Sequence, residues 1–230
     1  MTFARFFLGF VTAFVALFPV LNPVGTAFIL NRFISHLNPH YHRRAVRHII
    51  VNSLSLALGS LILGHFILML FHLAIPAIQL GGGLLICYMA WGWLKDEGES
   101  EVKPGKETKG AAKATPATEF SRIERKLFYP MSFPITIEAG TMAVIFTLMA
   151  SVKMDDTLGH IIEGYAAIAL AIVAICAILY IMLATGHRIT RRLGVAGELI
   201  VNKIIAFLTL CVGLQIMIEG VGAIFHVTVL

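Results

Sequence analysis

Polarity along the chain changes in long blocks. Apolar runs cover residues 3–30, 49–71, 74–94, 127–152, 162–184 and 199–225, and most charged residues gather between them. A helix needs about 20 predominantly apolar residues to cross the hydrocarbon of a bilayer, and each run reaches that length. The pattern predicts an all-α polytopic membrane protein with about six transmembrane helices. The first run follows a lone Arg5, lacks a short apolar core ending in a cleavage site, and continues through Asn22-Pro23-Val24-Gly25. It is expected to be retained as a span.

Composition agrees with this reading. Hydrophobic residues make up 58% and charged residues 13% of the chain, where a soluble domain carries roughly 25% charged residues. The net charge of +5 therefore points to a membrane surface, and no nucleic-acid partner is expected. Of the 18 Lys and Arg residues, all but Arg5 and Lys153 follow the first, third or fifth run, with Lys203 at the edge of the sixth. Arg32, Arg43, Arg44 and Arg47 mark the first of these loops, and Arg188, Arg191 and Arg192 the last. By the positive-inside rule these loops are cytoplasmic and both termini lie on the outer face of the inner (plasma) membrane.

Residues 95–126 are rich in Gly, Ala, Thr, Pro, Lys and Glu, which predicts a flexible cytoplasmic loop. It separates two three-helix units, 1–94 and 127–230. An odd number of spans per unit makes the second enter the membrane in the opposite sense, so likeness between the units signals an inverted repeat. Phe18-Pro19-Val20 with Gly25-Thr26 returns as Phe133-Pro134-Ile135 with Gly140-Thr141 at the same spacing.

Proline removes a backbone donor and crowds the preceding turn. Pro19 with Pro23, and Pro130 with Pro134, each followed by Gly, therefore predict broken helices one and four. Half-helix ends and freed carbonyls at such breaks suit a zwitterionic solute, the N-terminal end holding a carboxylate; a pair of kinks used only for packing is the alternative. The candidate substrate-binding residues are Asn22, Pro23, Gly25 and Thr26 at the first break, Glu138, Gly140 and Thr141 at the second, and Gln215 in the sixth span, with Thr136 as a further hydrogen bonder. A carboxylate at a helix centre costs roughly 2.5–3.5 kcal/mol on insertion scales. For Glu138 three readings stay open: an ammonium ligand, a proton carrier, or a shallow solvated group.

Gln215 and Glu219 share a helical face. Gly81-Gly82-Gly83 predicts close helix approach, Asn52 and His65 are read as packing hydrogen bonders, and Trp91 and Trp93 as interfacial anchors. Cys87, Cys176 and Cys211 are read as small packing residues. The arginine-rich surroundings of His36, His40, His42 and His48 indicate a solvated face, so no metal site is expected. No nucleotide-binding or hydrolase signature is present, which argues against an enzyme and against a resident cofactor. The candidate coupling ions are H+ and Na+.

At Leu21-Asn22-Pro23-Val24-Gly25 the chain resembles the MarC family, also called the small neutral amino-acid transporter family of the lysine-exporter-like superfamily. The resemblance extends to Phe133-Pro134 with Gly140, the Gly-rich start of span three, and Lys203 through Gln215 to Gly220. It implies six spans, an inverted repeat, and substrate binding near the broken helices, with glycine, alanine and similar amino acids as solutes. Glu138-Ala139-Gly140 and Ala206 depart from the family pattern. The expected function is transport of a small polar solute across the lipid bilayer by alternating access. A cation or metal-ion exporter and a non-transporting scaffold are the alternatives; oligomeric state is left open.

Overall fold

The computed structural model describes residues 2–34, 37–95, 127–152 and 158–225. Its elements are all helical: α1 (Thr2–Leu21), α2 (Pro23–Ile34), α3 (Pro39–Leu70), α4 (Ile75–Lys95), α5 (Leu127–Thr136), α6 (Ala139–Ser151) and α7 (Leu158–Phe225). The expected central loop beyond Lys95, His36, and the side chains of Arg32, His65 and residues 186–196 lie outside the description.

Among the described residues five stretches are long and apolar enough to cross a membrane: Ala4–Asn31, Pro39–Gly64, Ile75–Lys95, Leu158–Thr185 and Leu199–Phe225. The remaining expected span is divided between α5 and α6. Both expected breaks are present. α1 gives way to α2 at Asn22, which has φ 41, and α5 gives way to α6 at Ile137 and Glu138. Within α5, Tyr129 and Phe133 are extended, at φ −121 and −133. Each precedes a proline, whose Cδ excludes the helical conformation for its neighbour.

The second span begins at Pro39, earlier than residue 49, so Arg43, Arg44 and Arg47 sit on helix and not in a loop. Proline at the first helical position loses no bond there. At 32 residues, α3 is about 48 Å long against roughly 30 Å of hydrocarbon, so its basic first turns extend beyond the apolar layer. It ends where His72, at φ 50, donates to the Met69 carbonyl at 3.2 Å, and α4 follows within a few residues.

The two apolar stretches of α7 run in opposite directions. Ala167 meets Gly9, and Thr209 meets Pro19, only about 15 Å further along α1. A straight helix would place Ala167 and Thr209 about 63 Å apart, so α7 doubles back between Thr185 and Leu199. Helices one and four also oppose one another. Leu127 and Met131 share a buried cluster with Leu30, Ile34 and Leu183, whereas Val152, at the other end of α6, meets Gly164. The first and fourth spans thus enter the bundle from opposite ends, as an inverted repeat requires.

α4 lies between α6 and the last span. A Cβ on Gly213 would come within 2.8 Å of Cys87 Sγ and 3.0 Å of the Gly83 carbonyl, and Gly82 abuts Ala143 in the same way. Small residues here let backbones approach, which is how apolar helices gain dispersion energy where lipid competes for every contact. Lys203 Nζ donates to the carbonyl of Leu94 and ties the ends of this helix pair together. Phe66, Tyr88, Ile181 and Phe207 are among many exposed apolar side chains, the surface expected of a bundle solvated by lipid.

Candidate functional site

The first break is closed by side chains that replace missing backbone bonds. Asn22 N–H donates to Phe18 at 3.1 Å and ends α1. Asparagine tolerates the left-handed backbone this needs better than a branched residue. Its Oδ1 accepts the N–H of Gly25 at 2.9 Å, so Asn22 is the N-cap of α2 with Pro23 at the first helical position. Thr26 Oγ1 donates to the Leu21 carbonyl at 3.1 Å. Because Pro23 has no N–H, the carbonyl of Pro19 loses its helical partner. Thr209 Oγ1, from the last span, donates to that carbonyl at 2.8 Å.

These bonds define what remains available. Asn22 Oδ1 and the Thr26 proton are already engaged, leaving Asn22 Nδ2 and a lone pair of Thr26 Oγ1. Gly25 leaves room for this arrangement: a Cβ there would overlap Asn22 Nδ2 and lie 2.8 Å from Asn202 Oδ1.

The second break repeats the logic with different groups. Ile137 N–H donates to Ser132 at 3.0 Å, a wider loop than an α-turn. Ser132 Oγ and Thr136 Oγ1 donate to the carbonyls of Leu127 and Met131, at 2.7 and 2.8 Å. Glu138 occupies the N-cap of α6; its carbonyl accepts the N–H of Met142 at 3.1 Å, but its side chain makes no capping bond. The half-buried carboxyl stays close, with Oε1 3.7 Å from where a Gly140 Cβ would stand, and Ile86 lies 3.2 Å from the same point. Thr141 is wholly buried, and its hydroxyl has no hydrogen-bond partner. By the repeat spacing, Glu138 stands where the first break has Pro23.

The breaks border one apolar cluster, to which Val20 and Leu21 come from the first, Ile137 and Val144 from the second, and Ile86 from α4. Asn22, Pro23, Gly25 and Thr26 thus lie next to the members that the first break contributes, and Glu138, Gly140 and Thr141 next to those of the second. Gln215 is not among them. It is exposed and bonds Glu219 Oε1 at 3.2 Å, because Gly213, Ile216 and Gly220 occupy the packed face of its helix. Thr209 and Asn202 take its place as the polar residues that the last span brings to a break; nothing in their local sequence marks them out. Among the described residues no three of His, Cys, Asp and Glu come together.

The chain matches the family model for MarC family integral membrane proteins over residues 7–225. It is 24% identical over 208 residues to the inner membrane protein MarC of Citrobacter koseri, covering 90% of this chain and 91% of that protein. The corresponding proteins of Salmonella typhimurium and of Escherichia coli strain SMS-3-5 are each 23% identical, over 209 and 207 residues, with the same coverage of 90% and 91%. No solved structure matches the chain.

Proposed function

Because this chain belongs to the MarC family and is a multi-pass inner-membrane protein, we propose that it transports a small polar solute by alternating access around the two helix breaks. The solute class is small neutral amino acids such as glycine and alanine. The observation that carries the reading is the pair of breaks at equivalent positions in oppositely directed spans, bordering one cluster. Breaks of this kind expose polar backbone at membrane depth, which is tolerated where it lines a cavity or is buried in protein.

In this reading residues 1–94 and 127–230 are the two units that rock against each other, with the termini outside and the basic segments in the cytoplasm. Asn22 Nδ2, the start of α2 and Thr26 receive the solute carboxylate. Gly25 and Gly140 shape the backbone of the two breaks, and Pro23 fixes the turn of the first. Glu138 receives the coupling cation or proton, and Thr141 supplies an unused hydroxyl beside it. Counterflow of labelled glycine and alanine in proteoliposomes tests the reading: exchange above that of protein-free vesicles is expected, and its absence with folded protein contradicts it.

A further inference from the structure

Asn202 reaches the first break but has no role in the transport reading above. It lies in the last span and is half-buried; its Oδ1 is fully shielded and has no hydrogen-bond partner. An amide oxygen left in that condition costs about 1–3 kcal/mol until a donor is supplied. The oxygen lies 2.8 Å from the Cβ position of Gly25, on the same side as Asn22 Nδ2. A buried acceptor and an amide donor therefore both face the Cα of Gly25.

The second repeat supplies the comparison. The glycine equivalent to Gly25 is Gly140, and the side chains that α4 turns towards it are Ile86 and Met89. Apolar side chains satisfy that packing position in one half of the molecule, so the fold does not demand an amide in the other.

We propose that Asn202 is a solute-binding residue whose Oδ1 accepts a hydrogen bond from the ammonium group of the transported amino acid. This rests on the transport reading above and extends it. The carboxylate is held at Asn22 and the start of α2, the ammonium group at Asn202, and Glu138 is left free for the coupling ion. The solute thereby bridges the first repeat and the last span of the second, so its binding links the two units that must move.

The test is inhibition of labelled-alanine counterflow by unlabelled alanine and by propionate, which has the carboxylate and no ammonium group. The ratio of the two inhibition constants does not depend on how much protein is folded. Wild type is expected to prefer alanine. Asn202→Leu is expected to weaken alanine roughly 10–100-fold, the worth of one hydrogen bond to a charged group, while leaving propionate unchanged. Asn202→Asp, which keeps the acceptor, is expected to retain the preference, and Asn202→Ser, whose hydroxyl is too short to reach, to lose it. An unchanged preference in Asn202→Leu, or in Asn202→Ser should the former fail to fold, overturns the assignment and leaves the transport reading standing. Absence of alanine exchange in folded wild type overturns both.

Discussion

Thr209 Oγ1 donates at 2.8 Å to the carbonyl of Pro19, a residue 190 positions away that Pro23 has deprived of its helical partner. One hydroxyl from the last span thus satisfies the first break, and the same oxygen lies 2.9 Å from the Ile205 carbonyl of its own helix. Thr209→Val removes the bond while keeping the shape. It is expected to lower stability by about 0.5–1.5 kcal/mol, and Thr209→Ser to stay near wild type. Thermal unfolding in detergent checks both.

Glycines divide by what stands beside them. Gly213→Leu forces α4 and the last span apart, since even a Cβ there meets Cys87 at 2.8 Å, and a loss of several kcal/mol is expected. Gly59, with nothing within 4 Å, should accept alanine with a gain of up to about 1 kcal/mol from helix propensity. Unfolding midpoints of the two variants are expected to move in opposite directions.

Glu138 faces Gly140 and makes no capping bond, so its carboxyl is not required to hold α6 together. Glu138→Gln is expected to retain alanine counterflow and to lose accumulation driven by a proton or sodium gradient. Gradient-driven uptake measured beside counterflow separates the two. Equal loss of both would assign Glu138 to solute binding instead.

Much of this arrangement is legible in the chain. Pro19 with Pro23 and Pro130 with Pro134 announce the breaks because proline acts on its own backbone and its immediate neighbour, and Tyr129 and Phe133 show the effect directly. The engagement of Asn22 Oδ1 with Gly25 is local too, and follows from its place before Pro23. Asn202 and Thr209 are different. Their importance comes from facing a segment more than 170 residues away, and a polar residue in an apolar run looks the same whether it meets a break or a packing neighbour. Gln215 is the converse: its helical face is set by Gly213 and Gly220 against α4, which periodicity within the span does not reveal. The early start of α3 was hidden because basic residues between apolar runs look like loop, although Arg is a good helix former.

Orientation is open to thiol labelling. In a background without Cys87, Cys176 and Cys211, His72→Cys in the α3–α4 turn is expected to react with an impermeant maleimide from outside intact cells. Arg43→Cys on the basic first turns of α3 should react only after the membrane is opened. The reverse pattern would invert the proposed topology.

Asn22→Gly is the sharpest probe of solute binding at the first break. Glycine accepts the positive φ of Asn22 without strain and costs a cap only a few tenths of a kcal/mol, so the variant is expected to fold. It lacks Nδ2, the donor left free for the solute carboxylate. Alanine counterflow in proteoliposomes should be present in wild type and fall at least about tenfold in Asn22→Gly, in keeping with the loss of a hydrogen bond to a charged group. Undiminished exchange in a folded Asn22→Gly protein would contradict the account and place the solute elsewhere in the bundle.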